Sequence, residues 1–345
     1  MRIITLSLLL CGLVIPSFGV RPPLKGYTYA SEQAPTGKEW QSPENLALNK
    51  EQPHAWFFPF QDIKSARKVL PENSIYWQSL NGNWKFNWAA DPDSRPKDFY
   101  KTDFDVTAWD NIPVPSSWNI YGIQQDGSLK YGVPIYVNQP VIFMHSVKVD
   151  DWRGGVMRTP PTNWTTYKYR NEVGSFRREF EIPEHWDGRE VFISFDGVDS
   201  FFYLWINGMY VGFSKNSRNT ANFNITNYLR SGKNIVAAEV YRNSDGSFLE
   251  AQDMFRLPGI FRTVALYSTP KVQIRDLVAT PDLDNNYTDG SLTIQADIRN
   301  FGKKTAKGYK VCYSLYANKL YSDENEPVIL ATDTKGAAIR NCVVA

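Results

Sequence analysis

Ser200-Phe201-Phe202-Tyr203-Leu204-Trp205-Ile206-Asn207-Gly208-Met209-Tyr210-Val211-Gly212-Phe213-Ser214 is the stretch on which the fold turns. Every position from Phe201 to Ile206 is apolar, the pattern of a strand covered on both faces. Asn207-Gly208 is a strong two-residue hairpin signal, because both residues tolerate left-handed backbone, and Tyr210 to Ser214 supplies the returning strand. Outward from this hairpin the chain keeps to short strands. In Glu179 to Ile182, Phe180 and Ile182 alternate with charge; in Glu190 to Phe195, Val191, Ile193 and Phe195 lie on one side. Asn234 to Tyr241 and Arg262 to Tyr267 complete the series. No amphipathic helix of useful length interrupts it, so the unit reads as all-β.

Towards the C-terminus, Thr269-Pro270 ends this run, since proline lacks a ladder donor and restrains its neighbour. Beyond it Leu292, Ile294, Ala296 and Ile298 alternate with polar residues, as do Tyr309, Val311, Tyr313 and Leu315, which fits the opening strands of an immunoglobulin-like sandwich. Only about 75 residues follow Pro270, against roughly 100 for such a sandwich, so residues 270–345 are expected to be a truncated domain. Towards the N-terminus, Met1-Arg2, the apolar run Ile3 to Ile15 and Ser17-Phe18-Gly19 form a signal peptide over residues 1–19, which predicts a periplasmic or secreted protein. Residues 20–74 read as an extended arm, with a short helix near Asp62 to Val69 on which Ile63, Ala66 and Val69 share a face. The first sandwich then occupies residues 75–269. Cys312 and Cys342 remain after the leader and could pair in an exported protein, but spacing alone does not show their approach.

The chain has 345 residues, 38 basic and 36 acidic side chains and a formal charge of +2, which gives no field for gathering nucleic acid. Aromatic residues make up 14% of it, and these can stack on the apolar faces of sugar rings or simply fill sandwich cores. His54, His145 and His185 lack metal-ligand spacing, and no stretch beyond the leader is long and apolar enough to span a membrane.

Several segments carry a resemblance. They are Asn81-Gly82-Asn83-Trp84-Lys85-Phe86, Phe104-Asp105-Val106-Thr107-Ala108-Trp109, Ile112-Pro113-Val114-Pro115-Ser116-Ser117-Trp118 and Pro134-Ile135-Tyr136-Val137-Asn138. Gly174-Ser175-Phe176-Arg177-Arg178, Phe195-Asp196-Gly197-Val198-Asp199-Ser200 and the long block from Ser244 to Arg262 follow. In order and spacing they resemble family 2 glycoside hydrolases of the β-galactosidase type, which hydrolyse terminal β-D-galactosides. The resemblance implies a jelly-roll β-sandwich like galactose-binding domains, followed by a partial immunoglobulin-like sandwich. It also implies that the two catalytic glutamates, about 5 Å apart in a retaining enzyme, belong to a (β/α)8 barrel absent from this chain, so no catalytic residue is assigned. Magnesium in the family is bound by that barrel.

The resemblance further implies that Asn138 and Asp253 hold the sugar, and that Asp253 also ligates sodium. An amide suits a sugar hydroxyl, and a carboxylate is a hard oxygen ligand. Read from the residues alone, Asn138 is first of all a turn residue capping the strand before Gln139-Pro140, and Asp253 is equally a loop carboxylate bonded to amides or paired with Arg256 or Arg262. Asp245 and Glu250 present themselves as a catalytic pair, against which stands the usual structural role of loop carboxylates. Ala251, Phe255, Pro258 and Ser117 depart from the family pattern, where aspartate, tryptophan, serine and asparagine are usual. The expected partner is a β-galactoside or other glycan, with self-association of the chain as a further expectation. Competing readings are a self-standing carbohydrate-binding module, an assembly domain, or the same region of a β-glucuronidase or β-mannosidase; Gln252-Asp253-Met254 favours galactosidase.

Overall fold

The computed structural model describes residues 35–134, 171–250, 254–316 and 329–336. Its strands are β1 (Ala47–Leu48), β2 (Trp77–Ser79), β3 (Gly82–Ala89), β4 (Asp110–Val114), β5 (Val173–Glu181), β6 (Glu190–Phe195), β7 (Val198–Asp199), β8 (Phe201–Ile206) and β9 (Met209–Ser214). They continue as β10 (Ala221–Asn224), β11 (Lys233–Tyr241), β12 (Gly259–Ile260), β13 (Val264–Thr269), β14 (Val272–Leu283), β15 (Gly290–Asn300), β16 (Lys310–Tyr316) and β17 (Ile329–Gly336). Three single-turn helices, α1 (Ile63–Ala66), α2 (Trp118–Tyr121) and α3 (Ser247–Glu250), lie between them among the described residues.

The chain divides into two compact units. Of the described residues, those within 35–52 and 58–268 form one, and those within 53–57 and 269–336 form the other. In the first, a seven-stranded sheet runs β1-β9-β8-β11-β5-β3-β4 and a four-stranded sheet runs β10-β6-β13-β2. A single apolar cluster draws on both sheets, with Phe86, Phe176, Phe202, Leu204 and Ile206 from the larger and Ile193, Phe195, Phe223 and Leu266 from the smaller. This is the all-β sandwich expected from the sequence. Fully burying each such side chain contributes on the order of 2 kcal/mol, so the aromatic content is spent largely on packing.

The doubly apolar run of β8 has a specific cause. Phe202, Leu204 and Ile206 enter the core between the sheets, while Phe201, Tyr203 and Trp205 join a second buried cluster with Trp40, Phe99, Tyr210, Phe213 and Tyr241. Successive strand residues point to opposite faces, so a strand buried on both sides must be apolar throughout. Asn207 and Gly208 turn the hairpin with φ of 53° and 81°, and the Asn207 amide donates to Tyr228 O at 2.8 Å. Val191, Ile193 and Phe195 share the inner face of β6, but Phe192 and Ser194 are buried as well; Phe192 stacks on Tyr267 at 5.0 Å.

Several motifs have structural roles. The Arg177 guanidinium donates to the carbonyls of Phe99, Thr102 and Phe104, and Arg178 donates to those of Leu80 and Asn81. Asn81 accepts from Val264 N, and the Trp84 indole donates to Leu80 O. In the N-terminal region β1 adds to the edge of β9. Asp62 caps α1 by accepting from Ser65 N at 2.7 Å, but the apolar face expected there is not buried. Ile63 is 64% exposed and Val69 is 69% exposed, because the helix stops after four residues and Val69 turns left-handed at φ 61°.

In the second unit β14 pairs with β15 and β16 with β17, each antiparallel. The turn between β14 and β15 is closed by Asp284, which accepts from Asn286 N and Thr288 N. Ile298 is buried on β15. Cys312 lies on β16 and is exposed, whereas Cys342 falls outside the described residues.

Candidate functional site

Strand register places several polar groups at one end of the large sheet. Tyr241, the last residue of β11, pairs with Val173 at the start of β5 and with Phe201 at the start of β8, while Phe202 pairs with Ser214 at the end of β9. The connections entering or leaving these four strand ends therefore converge. They contribute Glu172, Asp199 and Ser200, Lys215 to Arg218, and Arg242 to Glu250.

The deepest feature is the pair Arg242–Glu172. Arg242 Nη1 donates to Glu172 Oε1 at 2.7 Å, with both side chains at most 1% exposed, and Nη2 donates to Val133 O at 2.7 Å. Glu172 Oε2 accepts from the Trp118 indole at 3.3 Å and from the Asn119 amide at 3.4 Å. Asn171 and Asn243 bond reciprocally, Nδ2 to Asn243 O and Oδ1 from Asn243 N. Gly132 approaches this pair so closely, at φ 77°, that a Cβ would lie 2.4 Å from Glu172 Oε1. The segment leading toward Asn138 is thus anchored to β5 and β11 by a buried charge pair whose oxygens are nearly all occupied.

A second cluster holds α3. Glu250 Oε1 accepts from Ser217 N at 2.9 Å and Oε2 accepts from Ser217 Oγ at 2.5 Å. Arg218 Nη1 lies 3.3 Å from Asp199 Oδ2. Burial raises the Asp199 carboxyl to about 6, with Arg218 opposing the shift and Glu250 adding to it. Burial also lowers the Arg256 guanidinium, and the nearby Arg242 charge reinforces that. Asp245 is ion-paired with the buried Lys215 at 2.8 Å. Asp245 and Glu250, the tempting catalytic pair, are therefore each engaged separately, one with a lysine and the other with a serine. Neither is presented as a free acid or base.

Asn138 and Asp253 both lie outside the described residues, as do Gln252 and Ala251. What the structure does show is how the chain is held on the near side of each, at Val133 and at Glu250. On the far side of Asp253, Met254 and Phe255 are exposed. Two departures from the family pattern, Ser117 and Pro258, adjoin one another: Ser117 Oγ donates to Leu257 O at 3.2 Å and Trp118 N to Pro258 O at 3.1 Å. Among the described residues no group of three or more His, Cys, Asp or Glu side chains could hold a metal ion. Arg242, Glu172 and Lys215 were missed in the sequence. The available signal was a charge placed directly beside a strand end that is otherwise apolar, as in Tyr241-Arg242 and Glu172-Val173.

Fold and site together define a β-sandwich of the binding-domain type, whose polar groups gather where loops leave one end of the large sheet. Residues 77–270 match the family described as "Glycosyl hydrolases family 2, sugar binding domain", and the chain belongs to that family. It is 42% identical over 264 residues to a β-galactosidase of Priestia megaterium, a match covering 76% of this chain and 24% of the relative. It is also 32% identical over 296 residues to the β-galactosidase large subunit of Lactobacillus helveticus, covering 83% and 44%. The chain thus spans less than half the length of either relative. Among solved structures, a family 2 β-glucuronidase superposes with a TM-score of 0.53 at 18% identity, over 77% of this chain and 25% of that one. A family 2 member from Bacteroides cellulosilyticus gives 0.53 at 18%, over 77% and 29%. At that identity these two structures speak for the fold alone.

Proposed function

We propose that this chain is the sugar-binding and scaffold portion of a β-galactosidase, acting on terminal β-D-galactosides, and that it does not hydrolyse them by itself. The observation that carries the reading is the 42% identity to a β-galactosidase across three quarters of the chain. The site geometry supports the non-catalytic part, since the carboxylates at the sandwich end are occupied by arginine, lysine and serine partners. In this reading Asn138 and Asp253 hold the galactose, Asp253 also takes a sodium ion, and the two glutamates that do the chemistry belong to a barrel outside these residues. Binding energy collected here orients the glycoside for that barrel. Export through residues 1–19 to the periplasm or medium belongs to the same reading, as does association of copies. No helix among the described residues is long and apolar enough to cross a membrane.

The test compares the purified chain with its Asp253→Ala variant. Nitrophenyl β-D-galactoside should not be turned over, while methyl β-D-galactopyranoside should bind saturably in sodium buffer and lose affinity in the variant. Turnover abolished by the substitution would place an active site within these residues. Absence of saturable binding would remove the sugar role from the isolated chain.

A further inference from the structure

The connection bearing α3 is tied at one end by Ser217 and at the other by a segment distant in sequence. Residues Glu39–Gln41 form a 3₁₀ turn lying on the outer aromatic face of the large sheet. There the Trp40 ring stacks on Tyr241 with centroids 5.5 Å apart, and the Trp40 indole donates to Gly37 O. The Tyr203 hydroxyl donates to Glu39, whose carboxylate also accepts from Thr36 N at 2.8 Å. From this seat the segment reaches the loop end of the sheet. Asp245 N donates to Trp40 O at 2.8 Å. The Lys215 ammonium donates to Ser42 O and pairs with Asp245 Oδ1 at 2.8 Å, its own side chain 1% exposed. Lys215 N donates to Leu46 O at 3.0 Å.

A four-residue helix cannot hold itself, because nucleation costs more than one turn of hydrogen bonds returns. Within residues 244–250, Ser247 N donates to Ser244 O, Leu249 N and Glu250 N donate to Gly246 O, and Ser244 N donates to Ser247 Oγ, which amounts to a single turn. The position of this turn is therefore set by its external ties. A buried lysine is tolerated only with its partners in place, so Lys215, Ser42 and Asp245 form or break as a set.

We propose that residues 39–42 act as a positioning strap for the turn Ser244–Glu250, with Trp40 as its anchor and Lys215 as its lock. The consequence for sugar binding rests on the proposed function, in which Asp253 follows that turn directly. The strap touches no sugar; it fixes the base from which the sugar-holding segment departs.

The test uses the full 345-residue chain with Trp40→Ala, Trp40→Phe and Lys215→Met. Amide hydrogen exchange at Asp245, Leu249 and Glu250 should accelerate about tenfold or more in Trp40→Ala and Lys215→Met, while amides of β5 and β11 keep their rates. Trp40→Phe, which retains a ring against Tyr241, should restore slow exchange. Affinity for methyl β-D-galactopyranoside should fall and recover in step. Unchanged exchange at residues 245–250 in Trp40→Ala would overturn the proposal, and so would equal acceleration throughout β11, which would report general loosening. If the unsubstituted chain binds no galactoside, the sugar assignment fails while the exchange data still decide whether the strap holds the turn.

Discussion

Arg242 shows how much one side chain can organise. Its guanidinium spans Glu172 and the Val133 carbonyl, so removing it leaves a carboxylate buried without its counter-charge. Arg242→Met should lower unfolding free energy by about 3–5 kcal/mol in urea titrations. Arg242→Lys should recover only part of that, because an ammonium cannot span both acceptors as the planar fork does. Asp199 makes a prediction about pH. Burial first, then the Glu250 charge, raise its carboxyl from 3.8 to about 6 against the pull of Arg218. A raised folded-state value means that the native protein holds a proton that the unfolded chain releases. The stability from this group is full below about pH 3.8 and is lost as pH rises through about 6. Asp199→Asn should flatten the pH dependence of unfolding between pH 4 and 6 by on the order of 2 kcal/mol relative to the parent, measured at matched ionic strength.

At the scale of elements, the edge of the large sheet depends on one glycine. A Cβ on Gly212 would lie 2.1 Å from Leu48 O, so β1 can pair with β9 only while position 212 has no side chain. Gly212→Ala should detach β1 and the residues flanking it, with proteolytic cleavage appearing between residues 45 and 52 while β8 and β11 keep their amide protection. The hairpin β8–β9 was legible in the sequence because Asn207-Gly208 is a local signal and Phe201 to Ile206 reports its own burial. The pairing of β1 was not legible. Ala47-Leu48 is too short to show a period, and its partner lies far along the chain. The expected face of α1 failed for the converse reason: Ile63, Ala66 and Val69 have helical spacing, but nothing in spacing states that a surface waits to cover them.

For the whole molecule, both aromatic clusters draw, among the described residues, only on residues 40–266. A chain ending at Ser268 should therefore keep the near-ultraviolet circular dichroism of buried Trp84, Trp118 and Trp186 and unfold in a single cooperative transition. Loss of that signal would mean that residues after 268 are required for the sandwich. Period, turn chemistry and motif order are written locally along the chain, so the all-β class, the hairpin at Asn207-Gly208 and the likeness to a sugar-binding family were legible before any fold was known. The tertiary structure alone decided that Glu172 meets Arg242, that Lys215 joins Ser42 to Asp245, and that Asp245 and Glu250 are structural carboxylates. Those roles depend on antiparallel register bringing strand ends from distant parts of the chain to one edge of a sheet, where burial decides which charges must be paired.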